Sequence, residues 1–169
     1  MARTLLGGCA LAAVVAALVA GCGGSGNAPG VDATTQRDAN LWQIDQIEVK
    51  FHRATSHHDL NLMMSLWAPG AVFNIDQETL TGKAQIRQWF ATQSKAFKPG
   101  DVWESDTPSY KLRINLNGDK ATMYFECHYI DPATQKVVAW AGVTHTLQKI
   151  KGKWLIVDSA SSNPTLSAH

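Results

Sequence analysis

Residues 110–130 read YKLRINLNGDKATMYFECHYI. Apolar side chains occupy every second position on both sides of Asn117-Gly118: Leu112, Ile114 and Leu116 before it, Ala121, Met123, Phe125, Cys127 and Tyr129 after it. A period of two is the mark of a half-buried strand. Asn-Gly is the strongest short hairpin signal, since both residues tolerate positive φ. A turn on Asn117-Gly118 sets Ile114 opposite Ala121, Leu112 opposite Met123 and Tyr110 opposite Phe125, apolar against apolar. Slipping the pairing by one residue would mix the two faces, so the hydrophobic pattern fixes the phase.

The alternation continues downstream. A loop at 131–135 brings Tyr129 against Val137, Cys127 against Ala139, Phe125 against Ala141 and Met123 against Val143. A third turn, at Lys151-Gly152, sets Leu147 against Ile156 and His145 against Asp158. The opposite face carries Tyr124, Glu126, His128 and Trp140.

Upstream the period is that of a helix. Leu41, Ile44, Ile47, Phe51 and Ala54 recur at three and four residues between about Thr35 and Thr55. Asp59 stands where an N-cap is expected for a short helix carrying Leu62, Met63, Leu66 and Trp67, ended by Pro69-Gly70. Residues 71–75, AVFNI, read as a strand with Glu78–Leu80 as its partner. Thr81-Gly82 opens a third helix, with Ile86, Trp89 and Phe90 on one side. Helices first and a strand meander afterwards predict an α+β domain, its three N-terminal helices laid over one face of a curved antiparallel sheet.

The covered face holds small residues, Ala121, Ala139, Ala141 and Val143, beneath helices that bring Trp42, Trp67 and Trp89. Two interiors fit this pattern: a hollow lined by Trp42, Trp89, Tyr110, Met123, Phe125, Ala141 and Val143, or a core closed by the tryptophans. His145 is the polar residue of the inner row. Opposite Asp158 it would have the carboxylate that fixes an imidazole's tautomer and supports it as a general base; the same pair would also serve as a satisfied contact at the sheet end. Asp45, Glu48 and His52 form a stripe on the first helix, read as solvated surface. Cys127 reads as a small core residue without a basic partner to activate it. His57-His58-Asp59 reads as a loop and cap, so no metal site and no cofactor is expected.

The N-terminus has its own logic. Arg3 precedes an uncharged run from Leu5 to Ala20, the pattern of an export signal, too short to span a bilayer comfortably. Val19-Ala20-Gly21-Cys22 resembles the lipobox of bacterial lipoproteins. That resemblance implies cleavage after residue 21 and acylation of Cys22, which would anchor the chain to a membrane of the bacterial cell envelope with its domain outside the cytoplasm. Stable anchoring needs two acyl chains rather than one. The expected layout is a leader at 1–21, a Gly/Ser-rich tether at 22–33, one domain at 34–163 and a disordered tail at 164–169. Of the three cysteines, Cys9 leaves with the leader and Cys22 is lipidated, so Cys127 has no disulfide partner. Arg3 is the one charge in the leader; without it, 15 Lys and Arg fall level with 14 Asp and Glu. Such a balance gives no support to binding nucleic acid or an anionic lipid surface.

Four landmarks, in order, carry a family likeness: HHDLNLMMSLWAPGAVF at 57–73, LTGKAQIRQWF at 80–90, LNGDKATMYF at 116–125 and KGKWLIV at 151–157. Together they resemble the SnoaL-like branch of the nuclear transport factor 2-like superfamily. The resemblance implies a cone-shaped α+β fold with a pocket between sheet and long helix, and frequent dimers. Its members include polyketide cyclases, ketosteroid isomerases, scytalone-type dehydratases and binding modules without catalysis. No catalytic set transfers. Where the isomerases place an aspartate on the first short strand, this chain has Ile75 and Asp76; where the dehydratases place a histidine, Ser105–Ser109 contains none. The expected function is an envelope-anchored module binding a small apolar or amphipathic molecule, or a partner protein. The alternative is a cofactor-free lyase or isomerase using His145 and Asp158. A homodimer is expected through Tyr124, Glu126 and Trp140 on the outer sheet face.

Overall fold

The structure is a computed structural model and describes residues 31–97, 110–162 and 165–166. The leader, Cys22 and most of the tether lie outside the described residues. Three helices, α1 (Ala33–Ser56), α2 (Leu60–Ser65) and α3 (Gly82–Thr92), accompany seven strands. The strands are β1 (Trp67–Ile75), β2 (Glu78–Thr81), β3 (Tyr110–Asn117), β4 (Lys120–Asp131), β5 (Lys136–Ile150), β6 (Lys153–Ser161) and β7 (Thr165–Leu166). The sheet runs β2-β1-β6-β5-β4-β3, with β7 added to β5. It is antiparallel except where β1 lies parallel to β6. Thus α1 and α2 precede the sheet, and α3 follows its first hairpin.

Local chemistry sets the boundaries. Asp32 caps α1 by accepting from the Thr35 amide at 2.8 Å, so the helix starts inside the expected tether. Asp59 Oδ1 accepts from the amides of Asn61 and Leu62 at 3.0 and 2.9 Å, the cap anticipated for α2. Asp76 and Gln77 join β1 to β2 with φ of 47° and 72°, the two positive values a tight hairpin turn requires. Pro69-Gly70 does not end a helix. It sits within β1, where the pairing to β6 is irregular between Trp67 and Val72; a residue lacking an amide hydrogen is tolerated at such a break. At the other end, Thr165 and Leu166 pair with Trp140 and Ala139, so part of the expected disordered tail is a strand.

The inner face is the one expected, and so is the pairing of Leu147 with Ile156, although the β3–β4 and β4–β5 registers are displaced. Ile114 meets Met123 and Leu116 meets Ala121, because Asn117 pairs with Lys120 and Gly118, at φ 57°, begins the turn. Likewise Met123 meets His145, Phe125 meets Val143, Cys127 meets Ala141 and Tyr129 meets Ala139. Both shifts are by two residues, which preserves the faces.

The interior is largely aromatic. Phe73 and Phe90 stack at 5.7 Å with rings 10° apart; Trp89 meets each edge-on, and Trp67 packs on both. Trp67, Trp89, Met123 and Phe125 are all buried. Trp42, expected in the pocket, is 64 % exposed on the far side of α1. Its place follows from the helical period: the buried stripe is Ile44, Ile47, Phe51 and Ala54, and Trp42 falls off it.

Candidate functional site

A cavity of about 30 Å³ lies between α1, α3 and the inner sheet face. That is room for about two water molecules. Its wall is mainly apolar: Phe51 from α1, Trp89 and Phe90 from α3, Ala141 and Val143 from β5. Thr55, Ser94 and Cys127 supply polar atoms, and Ser161 and the exposed Ser162 mark one end. Among the described residues, no charged side chain lines it. Of the expected pocket residues, Trp89, Ala141 and Val143 line this cavity. Met123 and Phe125 are buried beside the wall, and the side chain of Tyr110 lies outside the described residues.

Behind Cys127 stands a chain of polar groups. His52 Nε2 is 3.2 Å from the Cys127 sulfur. On the other side of the ring, Nδ1 lies against the carboxylate of Glu48, one helical turn earlier. Tyr129, two residues along β4 and buried on the same face, lines the cavity beside Cys127. Glu48, His52 and Cys127 are each at most 2 % exposed. Burial pulls the His52 pKa down, but the hydrogen bonds with Cys127 and Glu48, reinforced by their charges, outweigh it and lift it to about 10. Burial, together with the sulfur, pushes the Tyr129 hydroxyl well above its ordinary value. Two expectations are corrected here. The Glu48–His52 stripe is interior rather than solvated, and Cys127 does have a basic partner. The signal was in the period: Glu48, His52 and Thr55 continue the stripe of Ile44 and Phe51 at steps of three and four.

His145 is fully buried in the inner row, as expected, but Asp158 is not its partner. The pairing of β5 with β6 is regular from Ile150–Lys153 to Leu147–Ile156, then shifts, so that Asp158 meets Thr146 and Ser159 meets His145. One extra residue at Val157 turns Asp158 to the other face, as a β-bulge does. His145 Nδ1 lies 2.8 Å from Ser159 Oγ. Its ring packs against Phe51, Trp67 and Phe125. Burial alone lowers its pKa to about 3, so it stays neutral at physiological pH. His145 is absent from the wall of the inner cavity as drawn by the described residues and has Ser159 in place of the carboxylate, so it does not form the expected general-base pair with Asp158.

On the outer face, Glu126 collects three donors: Lys111 Nζ at 2.7 Å, the Tyr124 hydroxyl at 3.1 Å and His128 Nε2 at 3.0 Å. Hydrogen bonds from Lys111 and His128, with a smaller one from Tyr124, bring its carboxyl down to about 2. Lys111 reaches it from a left-handed backbone, φ 55°, where the pairing of β3 with β4 is irregular. Trp140 pairs with His128 and is 57 % exposed.

The family model for the SnoaL-like domain matches residues 37–159, from the second turn of α1 to the bulged end of β6. This chain belongs to the SnoaL-like family. Solved structures agree on the fold. A Nostoc punctiforme protein of unknown function with a cystatin-like fold is 20 % identical and superposes with a TM-score of 0.62, over 73 % of this chain and 90 % of its own. A nuclear transport factor 2-like protein with a cystatin-like fold from Novosphingobium aromaticivorans is 14 % identical at a TM-score of 0.62, over 78 % and 90 %. A nuclear transport factor 2-like protein from Streptomyces avermitilis, provisionally named a dehydratase, is 14 % identical at 0.59, over 78 % and 99 %. No curated protein matches by sequence.

Within the SnoaL-like domain, the positions that differ from the enzyme patterns are not rescued by the fold. Asp76 is exposed in the β1–β2 turn, and Ile75 is the buried residue beside it. Residues 105–109 lie outside the described residues. Among the described residues no group of His, Cys, Asp and Glu side chains is arranged to hold a metal ion. None of the described helices is long and apolar enough to cross a membrane.

Proposed function

We propose that this SnoaL-like protein is a lipid-anchored component of the bacterial cell envelope that holds a small, mainly apolar molecule at the inner cavity. The observation that carries the reading is the wall itself: aromatic rings from α1 and α3 face small residues of β5, and hydroxyl and thiol groups are the polar contacts. Binding sites for small molecules are typically concave and apolar with a few placed polar groups. A volume near 30 Å³ selects a very small ligand. Proton-transfer chemistry needs a titratable group in contact with the substrate, and among the described residues no His, Asp or Glu lines this cavity. Binding is therefore favoured over a lyase or isomerase.

The anchor rests on Val19-Ala20-Gly21-Cys22 and the Gly/Ser-rich segment after it. Two measurements test the proposal. Native mass spectrometry of the full chain, extracted from membranes in mild detergent, should show a bound species released by unfolding; a bare mass in every preparation would end the binding reading. Metabolic labelling with an alkyne fatty acid should mark the wild type and not Cys22→Ser, and equal labelling of both would end the anchor.

A second copy of the chain on the outer sheet face belongs to the same proposal. Trp140 supports it, a large aromatic exposed beside the Lys111–Glu126–His128 cluster. Aromatic side chains ringed by polar groups are enriched in the cores of such contacts.

A further inference from the structure

The polar chain behind the cavity has a directed order: carboxylate, imidazole, sulfur, then the cavity. Glu48 orients His52 through Nδ1, His52 presents Nε2 to Cys127 at 3.2 Å, and Cys127 is a wall residue of the hollow. A nucleophile, an imidazolium in hydrogen-bond reach and a third group orienting that ring make up an arrangement that favours the reactive form of a thiol. A purely structural cysteine has no use for it, because burying a carboxylate and an imidazole is costly unless they are paired. Glu48 and His52 come from α1 and Cys127 from β4, so it is the packing of helix on sheet that brings the three together. Ala141 directly opposes Cys127 on β5, so its single methyl leaves the space in front of the sulfur open.

We propose that Cys127 is a modification site, a thiol oxidised by a hydroperoxide that enters the inner cavity, with His52 and Glu48 as its positioning residues. The cavity admits a group of about two heavy atoms, which fits a peroxide and excludes bulky electrophiles. Sγ attacks one peroxide oxygen. The sulfur–oxygen bond forms as the oxygen–oxygen bond breaks, and the departing hydroxide or alkoxide takes the proton from the Cys127–His52 pair. Sulfur loses two electrons and the peroxide gains them, giving a sulfenic acid and water or an alcohol. Cys127 is the free cysteine among the described residues, so the sulfenic acid has no neighbouring thiol to close a disulfide and persists until an external thiol reduces it. This inference rests on the binding reading only in using the same cavity as its route in.

The test uses the full chain in detergent, hydrogen peroxide as the oxidant and dimedone to trap the sulfenic acid, with the Cys127 peptide quantified by mass spectrometry. Native Cys127 should be trapped at least about tenfold faster than the same cysteine in the guanidinium-unfolded chain, whereas an inert buried thiol reacts more slowly when folded. Cumene hydroperoxide should be slower than hydrogen peroxide by a similar factor. His52→Ala should lower the native rate by about 10²-fold, the lower end for a positioned proton-transfer group. His52→Gln, which keeps a donor near the sulfur, should recover part of it. A native rate equal to or below the unfolded rate overturns the proposal, and that comparison needs no variant to fold. Trapping reads chemistry at sulfur whether or not native mass spectrometry finds a resident ligand, so the two readings fail separately.

Discussion

His145 Nδ1 lies 2.8 Å from Ser159 Oγ, across two paired strands and with no water-exposed surface on the ring. Protonation would place a charge among Phe51, Trp67 and Phe125, and burial holds the folded pKa at about 3. In the unfolded chain an ordinary histidine titrates near 6.5. Between those values the unfolded state binds one more proton, so stability rises with pH across that window. The contribution is complete above about pH 6.5 and is lost as pH falls, by about 1.4 kcal/mol per pH unit once below about 6. Urea unfolding at pH 7, 6 and 5 should show this slope in the wild type. His145→Asn, which keeps a partner for Ser159, should be less stable at pH 7 but shallower in slope; equal slopes would refute the assignment.

His52 has the opposite sign. The His52 pKa is lifted to about 10, so its contribution is full below about pH 6.5 and is lost as pH rises toward 10. Removing one partner of a buried ion pair leaves the other charge unanswered, which costs about 3–5 kcal/mol. Glu48→Ala should lose about that much in urea unfolding at pH 7. Glu48→Gln should retain more, while an NMR titration shows His52 releasing its proton at a lower pH than in the wild type. An unchanged titration would mean that the carboxylate does not hold the ring.

What the sequence discloses follows from where apolar residues mark the phase. Within each strand from Leu112 to Val143 every second residue is apolar, and a displacement by two leaves each on its own face, so the sheet and its inner row could be read correctly from a wrong turn. Beyond Ile156 the run is Val157, Asp158, Ser159, Ala160 and Ser161. Neither phase of that run is distinctly apolar, so nothing marks the bulge that turned Asp158 outward and Ser159 inward. The site was missed for a different reason. Polar residues on an amphipathic helix are assigned to solvent by default, whereas Glu48 and His52 lie on the buried stripe and satisfy one another there.

Asp59 offers a local test of what starts α2. Its carboxylate accepts two amide hydrogen bonds at the first turn. Asp59→Ala should cost about 1 kcal/mol, the usual loss for a capping side chain, and Asp59→Asn only a fraction of that. Chemical denaturation measures both, and an Asn variant as unstable as the Ala variant would contradict the capping role.

Ala141 separates the cavity from the rest of the core. A leucine there would enter a space of about 30 Å³ already bounded by Phe51, Trp89 and Cys127. Overpacking of this kind costs about 1–3 kcal/mol, which a folded domain can sustain. Ala141→Leu should therefore remain folded by circular dichroism while losing any co-purified ligand in native mass spectrometry. Retention of the ligand at full occupancy would place its site elsewhere.

Trp140 decides the outer face. Being 57 % exposed and paired with His128, it contributes little to the fold of one chain, so Trp140→Ser should change unfolding stability by no more than about 0.5 kcal/mol. A central aromatic in an interface is different, since its truncation commonly costs 2 kcal/mol or more, about a thirtyfold weaker association. Sedimentation equilibrium of the detergent-solubilised chain should show a wild-type dimer and a Trp140→Ser variant shifted to monomer at the same concentration. The Glu126 cluster predicts a milder effect for Lys111→Met, because that lysine is exposed and its ion pair is screened. A wild type that stays monomeric throughout, or a dimer indifferent to Trp140, would remove the second copy from this face.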